Sequence, residues 1–417
     1  MGMRSTVQAT LEMQANGRYV RLPFEVPDGA SSCEVSLSVP DVAGAVVDLG
    51  CEGPTGWCGW SGGARRTFVL TSDDATPGYL PGVRPGTWHV VLGLHTLPPE
   101  GAELTVDISV PAHRSPDHGP VEEPVERVSR GSTRDLPALP GMTWFAGDTH
   151  AHSLHSDGAL SLSELANEGV RSGLDFLCVT DHNTTSHHRF LPHVGDRHGI
   201  ALVPGQEVTT HAGHANAFGE IGFVDFRRPA QEWVDVVAQR GGMMSINHPV
   251  SGDCSWLHPL TNEPVGVELY HGSWYLDPID TSALAWLQRW RRDAILLGGG
   301  DFHNRSTSLR PGMPATWVMA EDSSPDAILD GMRAGRTTVT GSVNVVEGVG
   351  RPVLQESPIL IRQGELLLIL AAAGLVLVSG DNQRHIVSVD RESFVAPFGH
   401  GPFRLENADR MTLAMCQ

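Results

Sequence analysis

The chain has 417 residues, which at about 150 residues per domain is room for two or three domains. With 40% hydrophobic residues, 47 glycines and a formal charge of −19, it is globular rather than disordered. It is also too acidic to hold nucleic acid on a broad basic surface. No lysine occurs, so all 29 basic residues are arginine. That excludes Schiff-base chemistry, a P-loop lysine and a carboxylated-lysine metal bridge.

Residues 1–110 predict an all-β sandwich. Val35, Leu37 and Val39 alternate with polar residues, as do Trp88, Val90, Leu92 and Leu94, and again Leu104, Val106, Ile108 and Val110. The turn Gly56–Gly63 carries Trp57 and Trp60 and reads as loop packing. Residues 111–143 hold Pro111, Pro116, Pro120, Pro124, Pro137 and Pro140, and read as a linker or surface strap. From Trp144 to Gly341, short apolar runs alternate with helical patterns. Ser161 and Glu164 form a capping box ahead of Leu162, Leu165, Ala166 and Val170. Ser324-Pro325 opens a helix lined by Ile328, Leu329 and Met332 and closed by Gly335. Such alternation predicts a mainly parallel α/β domain, barrel or open sheet. Residues 342–417 return to β-like runs and predict a small C-terminal β subdomain. The longest apolar run, Leu366–Val378, is too short to span a bilayer and reads as one buried strand. None of the six cysteines forms a C-x-x-C pair, and the N-terminal residues show no secretory segment. Free thiols in the cytoplasm are expected.

Fourteen of the 20 histidines lie between His150 and His303. Five apolar runs end in ligand-type clusters. Phe145–Gly147 leads to Asp148-Thr149-His150-Ala151-His152 and then Ser156-Asp157-Gly158. Leu174–Val179 leads to Thr180-Asp181-His182. Ile200–Gly205 leads to Gln206-Glu207. Met243–Ile246 leads to Asn247-His248-Pro249. Ile295–Gly300 leads to Asp301-Phe302-His303. A lone His-x-His is usually surface decoration, but five such strand ends in one domain predict a polynuclear metal site. In extended chain, His150 and His152 point to one side, as do Asp301 and His303. With no lysine available, Glu207 is the natural carboxylate bridge, and His211–Asn216 adds a further ligand on a loop or hairpin. Imidazole and carboxylate without thiolate suit two to three divalent ions of Zn, Mn or Fe.

The ordered series HxH, SDG, TDH, E, H and DxH resembles the PHP (polymerase and histidinol phosphatase) family of metal-dependent hydrolases, over roughly Trp144–Gly341. His211–Asn216, the Asn247-His248-Pro249 motif and Gly335-Arg336-Thr337 resemble its carbaryl-hydrolase (CehA/McbA) branch. The resemblance implies a distorted (β/α)7 TIM-like barrel with up to three metals. It implies that His150, His152, Glu207 and Asp301 hold the first, Glu207, His214 and His248 the second, and Asp157, His182 and His303 the third. Asp157 stands where some members carry histidine, and Gly300 where Ser often precedes the Asp.

The expected activity is hydrolysis of a small-molecule phosphoester through a metal-bridging hydroxide, with Glu207 holding the metals. Hydrolysis of a carbamate, amide or carboxylic ester is the alternative. Asp148 and Asp181 are placed to orient imidazoles or to cap locally. Arg189, Arg305 and Arg310 are candidate phosphate contacts, and His187, His188 and His271 candidate leaving-group acids, His271 also a substrate contact. No nucleic-acid or membrane partner is expected.

Overall fold

The computed structural model describes residues 3–11, 18–39, 45–277, 281–291, 293–346, 348–395 and 399–417. The chain divides into two compact units. The first comprises Met1–Pro120 with the segments His152–Ser161 and Asp181–Arg189. The second comprises Val121–Ala151, Leu162–Thr180 and Phe190–Gln417.

Among the described residues of the first unit, eight antiparallel strands form two sheets. They are β1 (Met3–Leu11), β2 (Tyr19–Val26), β3 (Ser32–Ser38), β4 (Val46–Gly53), β5 (Gly56–Gly62), β6 (Thr67–Thr71), β7 (Gly86–Thr96) and β8 (Ala102–Val110). One sheet has the order β1-β8-β3-β6 and the other β2-β7-β4-β5. The period-two apolar residues supply the core between them. Val35, Leu37, Val106 and Ile108 from one sheet pack with Val47, Leu49, Val90 and Leu92 from the other.

The second unit is built on one mixed sheet. Its strands are β9 (Thr143–Asp148), β10 (Phe176–Val179), β11 (Ala201–Thr210), β12 (Gly213–Phe218), β13 (Met243–Ile246), β14 (Gly266–His271), β15 (Ile295–Gly299), β16 (Ala315–Ala320) and β17 (Thr337–Thr340). The order is β15-β14-β13-β12-β11-β10-β9-β16-β17, and Thr412–Cys416, Phe403–Glu406, Val376–Val378 and Arg384–Ile386 continue the sheet from β17. Pairing is parallel for β9/β10, β10/β11, β13/β14 and β14/β15. It is antiparallel for β11/β12, β12/β13, β9/β16 and β16/β17. Past the strand ends, Ala151 bridges Phe302 in parallel, and Thr149 Oγ1 donates to Gly298 O at 3.0 Å.

Five α-helices occur among the described residues: α1 (Leu162–Arg171), α2 (Leu191–His198), α3 (Ala230–Gln239), α4 (Ser282–Leu287) and α5 (Pro325–Arg333). The regular alternation of seven strands with helices is therefore not what the described residues show. β11 and β12 are joined by a tight turn, because Gly213 sits at φ 122° and lets the chain reverse. The predicted cap of α5 is present: Ser324 Oγ accepts from Ala327 N at 3.3 Å, and Ile328, Leu329 and Met332 are buried. The run Leu366–Val378 is two strands rather than one. Leu366–Leu370 and Val376–Val378 flank a turn in which Ala371 and Gly374 take positive φ.

Candidate metal centre

Strand ends of the second unit gather most of the predicted ligands. Glu207 follows the parallel part of β11, His214 is its near neighbour on β12, and His248 and Asp301 lie just past the ends of β13 and β15. The registers Glu207↔Asn216 and Thr209↔His214 set the hairpin that carries the first two. Glu207 Oε1 lies 3.3 Å from His150 Nε2, 3.2 Å from His214 Nδ1 and 3.5 Å from His248 Nε2. Asn247 Nδ2 donates to the same oxygen at 2.8 Å. His150 Nε2 is also 3.2 Å from Asp301 Oδ1. Glu207, His214 and His248 form one group able to hold a metal ion, and His150, His248 and Asp301 another.

These groups are buried to different degrees, and Asp301 and His214 remain partly exposed. His150 and Glu207 are fully buried. Burial pulls the His150 imidazolium down, but Glu268, Glu207 and Asp301 outweigh it and hold its pKa well above the usual value. Burial is also the largest influence on His248, whose pKa is lowered. His248 and Asp301 take left-handed backbone, at φ 28° and 50°. That conformation costs energy for non-glycine residues, and it turns each side chain out of line with its strand.

Glu268 is a member of this site that the motif order does not include. It lies on β14, and its Oε2 accepts from His150 Nδ1 at 2.8 Å. Fully buried, it nonetheless has a lowered pKa, because the His150 charge and hydrogen bond overcome the burial penalty. Its Oε1 and His248 Nδ1 are buried and have no hydrogen-bond partner among the described residues. A third potential metal group joins His248, Glu268 and His271, and His271 Nε2 is 3.5 Å from Asp301 Oδ2. The signal for it is a carboxylate inside the apolar run Val265–Tyr270, followed three residues later by histidine. Gly299 is required here, since a Cβ would run into the Glu268 carboxylate and come within 2.6 Å of His150 Cβ.

Asp148 accepts from three backbone amides: Gly312 at 2.7 Å, Gly300 at 2.9 Å and His150 at 3.0 Å. Burial nevertheless raises its pKa to about 6. Its role on this geometry is to fix the loops after β9 and β15. Gly300 is the residue that fits, because a Cβ there would lie 2.7 Å from Asp148 Oδ2. His303 donates from Nδ1 to Asp301 O at 2.8 Å.

In the first unit, His152 and His182 stack with ring centroids 4.4 Å apart, and His182 Nε2 is 3.5 Å from Asp157 Oδ1. Asp181 is fully buried and accepts from Ser153 N at 2.8 Å, Ser153 Oγ at 2.7 Å and Ser156 Oγ at 2.7 Å. Burial would raise its pKa, but His187, His155 and His152 together with Ser153 bring it down to about 2. His187 Nδ1 is 3.4 Å from Asp181 Oδ2, and His187 and His188 are both buried.

The candidate phosphate contacts have carboxylate partners. Arg305 pairs with Glu168 at 2.9 Å, Glu164 at 3.3 Å and Glu122 at 3.4 Å. Arg310 lies 3.7 Å from Glu168, and Arg189 lies 3.3 Å from Asp74. A cavity of about 220 Å³ opens beside His248 and His271, lined also by Ser251, Leu269, Ser273 and Trp274. Larger cavities of about 540 and 560 Å³ lie among C-terminal residues such as Arg362, Phe403 and Arg404 and contain none of the groups above.

No family model and no curated protein matches the chain. Among solved structures, it is similar to a two-domain protein of Bacteroides vulgatus containing a predicted PHP-like metal-dependent phosphoesterase. Identity is 19% over 70% of this chain and 91% of that one, with a TM-score of 0.40. An amidohydrolase of Chromobacterium violaceum with bound sulfate and no metal is similar at 17% identity, over 38% of this chain and 88% of that one, with a TM-score of 0.29.

Proposed function

We propose that the protein is a metal-dependent hydrolase acting on a small-molecule phosphoester. The observation that carries this reading is the buried Glu207 carboxylate, with three imidazole nitrogens within 3.5 Å of one oxygen. Three carboxylates and four imidazoles converge without a thiolate, a donor set that fits Zn, Mn or Fe. Divalent ions in such a set lower the pKa of water and offset charge growing on the reacting oxygen. The chain's own residues fix the geometry. Asn247 holds the Glu207 carboxylate, and Glu268 accepts a hydrogen bond from His150 Nδ1 and leaves Nε2 as the donor atom toward a metal. His271, on the cavity wall beside Asp301, is the proposed proton donor to the leaving group.

On motif order alone, His152 is proposed to join the His150 set, and Asp157, His182 and His303 to form a third set. The same motifs place the chain, as a proposal, in the PHP family and its carbaryl-hydrolase branch. The sheet is proposed to close as a distorted (β/α)7-type barrel, a reading supported by the Ala151–Phe302 bridge and the Thr149–Gly298 bond. The proposed domains are 1–110, a Pro-rich linker at 111–143, 144–341 and 342–417. No helix among the described residues is long and apolar enough to cross a membrane. The cysteine usage supports a cytoplasmic setting.

A second reading is hydrolysis of a carbamate, amide or carboxylic ester. It is favoured by the pairing of Arg189, Arg305 and Arg310 with carboxylates, which offsets the charge an anionic phosphate would seek. Purified protein loaded with Zn or Mn should be assayed on phosphomonoesters, phosphodiesters and aryl carbamates. The first reading expects phosphoester turnover inhibited competitively by inorganic phosphate. Turnover of carbamates alone, indifferent to phosphate, would replace it with the second.

A further inference from the structure

The first unit contains more than a β-sandwich. Two segments with proposed ligands, His152–Ser161 and Asp181–Arg189, belong to the same compact unit as strands β1–β8. They are held there by a small number of specific bonds. Arg65 lies in the turn between β5 and β6. Its Nη1 donates to Ser156 O at 3.0 Å, and its Nη2 donates to Leu154 O. Both carbonyls belong to the loop that carries Asp157. Arg65 is largely buried; burial lowers its pKa, and Tyr79, Asp181 and Asp157 oppose that shift. Its charge stays in place because arginine does not lose its proton in proteins.

Gly78 grips the second segment. Its N–H donates to Ser186 Oγ at 3.0 Å, and its carbonyl accepts from Thr184 Oγ1 at 2.8 Å. Ser186 Oγ in turn lies 2.7 Å from His155 Nδ1, which ties the two segments to each other. Gly78 has φ 100°, and a Cβ there would lie 2.5 Å from Trp60 O and 2.9 Å from His155 O, so glycine alone fits. Inside the segments, Asp181 then takes Ser153 and Ser156 as described above.

We propose that Arg65, with Gly78, is a positioning device through which the N-terminal sandwich sets the loop bearing His152 and Asp157. A guanidinium is suited to this role because its planar fork reaches two carbonyls at once, where a lysine ammonium would act as a point charge. The sandwich is thereby part of the catalytic apparatus rather than an appended module. The inference deepens the proposed function, since it rests on the ligand role given to His152, Asp157 and His182.

The test uses the full chain with Arg65→Met and Arg65→Lys. Hydrogen exchange is measured first on metal-free protein. Leu154 N and Ser156 N are bonded inside the loop, Ser153 N is bonded to Asp181 Oδ1, and all three report the loop's order. Arg65→Met should speed exchange across 153–158 by roughly tenfold or more, while β7 and β11 stay protected, and Arg65→Lys should recover part of it. Titration with Mn then reads the ligands directly. Arg65→Met should lose about one equivalent of bound metal or weaken it roughly tenfold, again with partial rescue by lysine. Unchanged exchange at 153–158 overturns the device. Faster exchange with unchanged metal binding overturns its link to the site. If Arg65→Met does not fold, Arg65→Lys carries the same two readouts against wild type. Failure of the parent reading is distinct: Asp157→Ala would then keep all its metal, whatever the exchange rates show.

Discussion

The two regions that carry the proposed ligands are built by different means. In the second unit, His214, His248 and Asp301 sit at or just past the ends of paired strands, Glu207 stands within β11 beyond its parallel pairing with β10 and opposite Asn216 of β12, and His150 and Glu207 are fully buried. In the first unit, His152, Asp157 and His182 lie on loops, and the Asp157 side chain is 45% exposed. Strand ends inherit their precision from the backbone ladder, and burial strengthens every charge–charge interaction among them. Loops have no ladder, so theirs comes from side chain to backbone bonds such as those of Arg65 and Asp181. The strand set should therefore hold its cations tightly and fail as a unit. The loop set should exchange more readily and fail alone.

The largest expected effect breaks the strand set. Glu207→Gln replaces a buried anion beside three imidazoles with a neutral amide, a poor bridge between cations. Metal content measured after dialysis should fall by most of its value, and turnover should drop on the order of 10³-fold. Asp157→Ala tests the other side of the comparison. It should lose no more than about one equivalent, and mild chelation of wild type should remove that same fraction first. Equal metal loss in the two variants would erase the distinction between the regions.

Glu268→Gln is expected to act less severely. The amide can still accept the His150 Nδ1 proton but brings no charge to it. Metal affinity should weaken by about 10–100-fold, the usual consequence of losing a carboxylate behind a ligating histidine. Isothermal titration with Zn measures this directly. An affinity within twofold of wild type would show that Glu268 supports the strand packing and not the imidazole.

Most of the proposed ligand residues are legible because they stand where an apolar run stops; β9, β10, β13 and β15 end within a residue of those runs, whereas β11 continues past Glu207 to Thr210. Glu268 escapes such a reading because its apolar run continues past it through Leu269 and Tyr270, and alternation assigns a residue to a face but says nothing of what that face meets. The N-terminal sandwich can be read from its period-two pattern. The affiliation of residues 152–161 and 181–189 with it cannot, because it depends on bonds more than eighty residues apart in the chain, such as Arg65 to Ser156. Nor can the antiparallel insertion of β12, which turns on Gly213. The split of Leu366–Val378 is hidden because Ala371 takes a left-handed backbone that its side chain does not advertise.

The smallest effect concerns the hairpin that holds the strand set in place. His258 Nε2 lies 2.7 Å from Thr210 Oγ1 at the tip of β11, and its ring packs against Trp233 and Trp256 with centroids 4.9 and 5.0 Å away. Burial, followed by the nearby His211 and His214, lowers its pKa from 6.5 to about 4. The unfolded chain thus binds the proton more readily than the folded one between these values. Stability from the neutral imidazole is complete above pH 6.5 and is lost as pH falls toward 4. His258 is only partly buried, so solvent screens part of this contribution. Thermal midpoints of wild type and His258→Gln, measured on metal-free protein at pH 7 and pH 5, isolate the effect from the titration of the other ionisable groups, which both proteins share. The variant should be slightly less stable at pH 7, and the gap should close by a few degrees, about 2–4 °C, at pH 5. Parallel losses in both proteins would mean that the hairpin is indifferent to this proton, and that the strand set owes its order to the sheet alone.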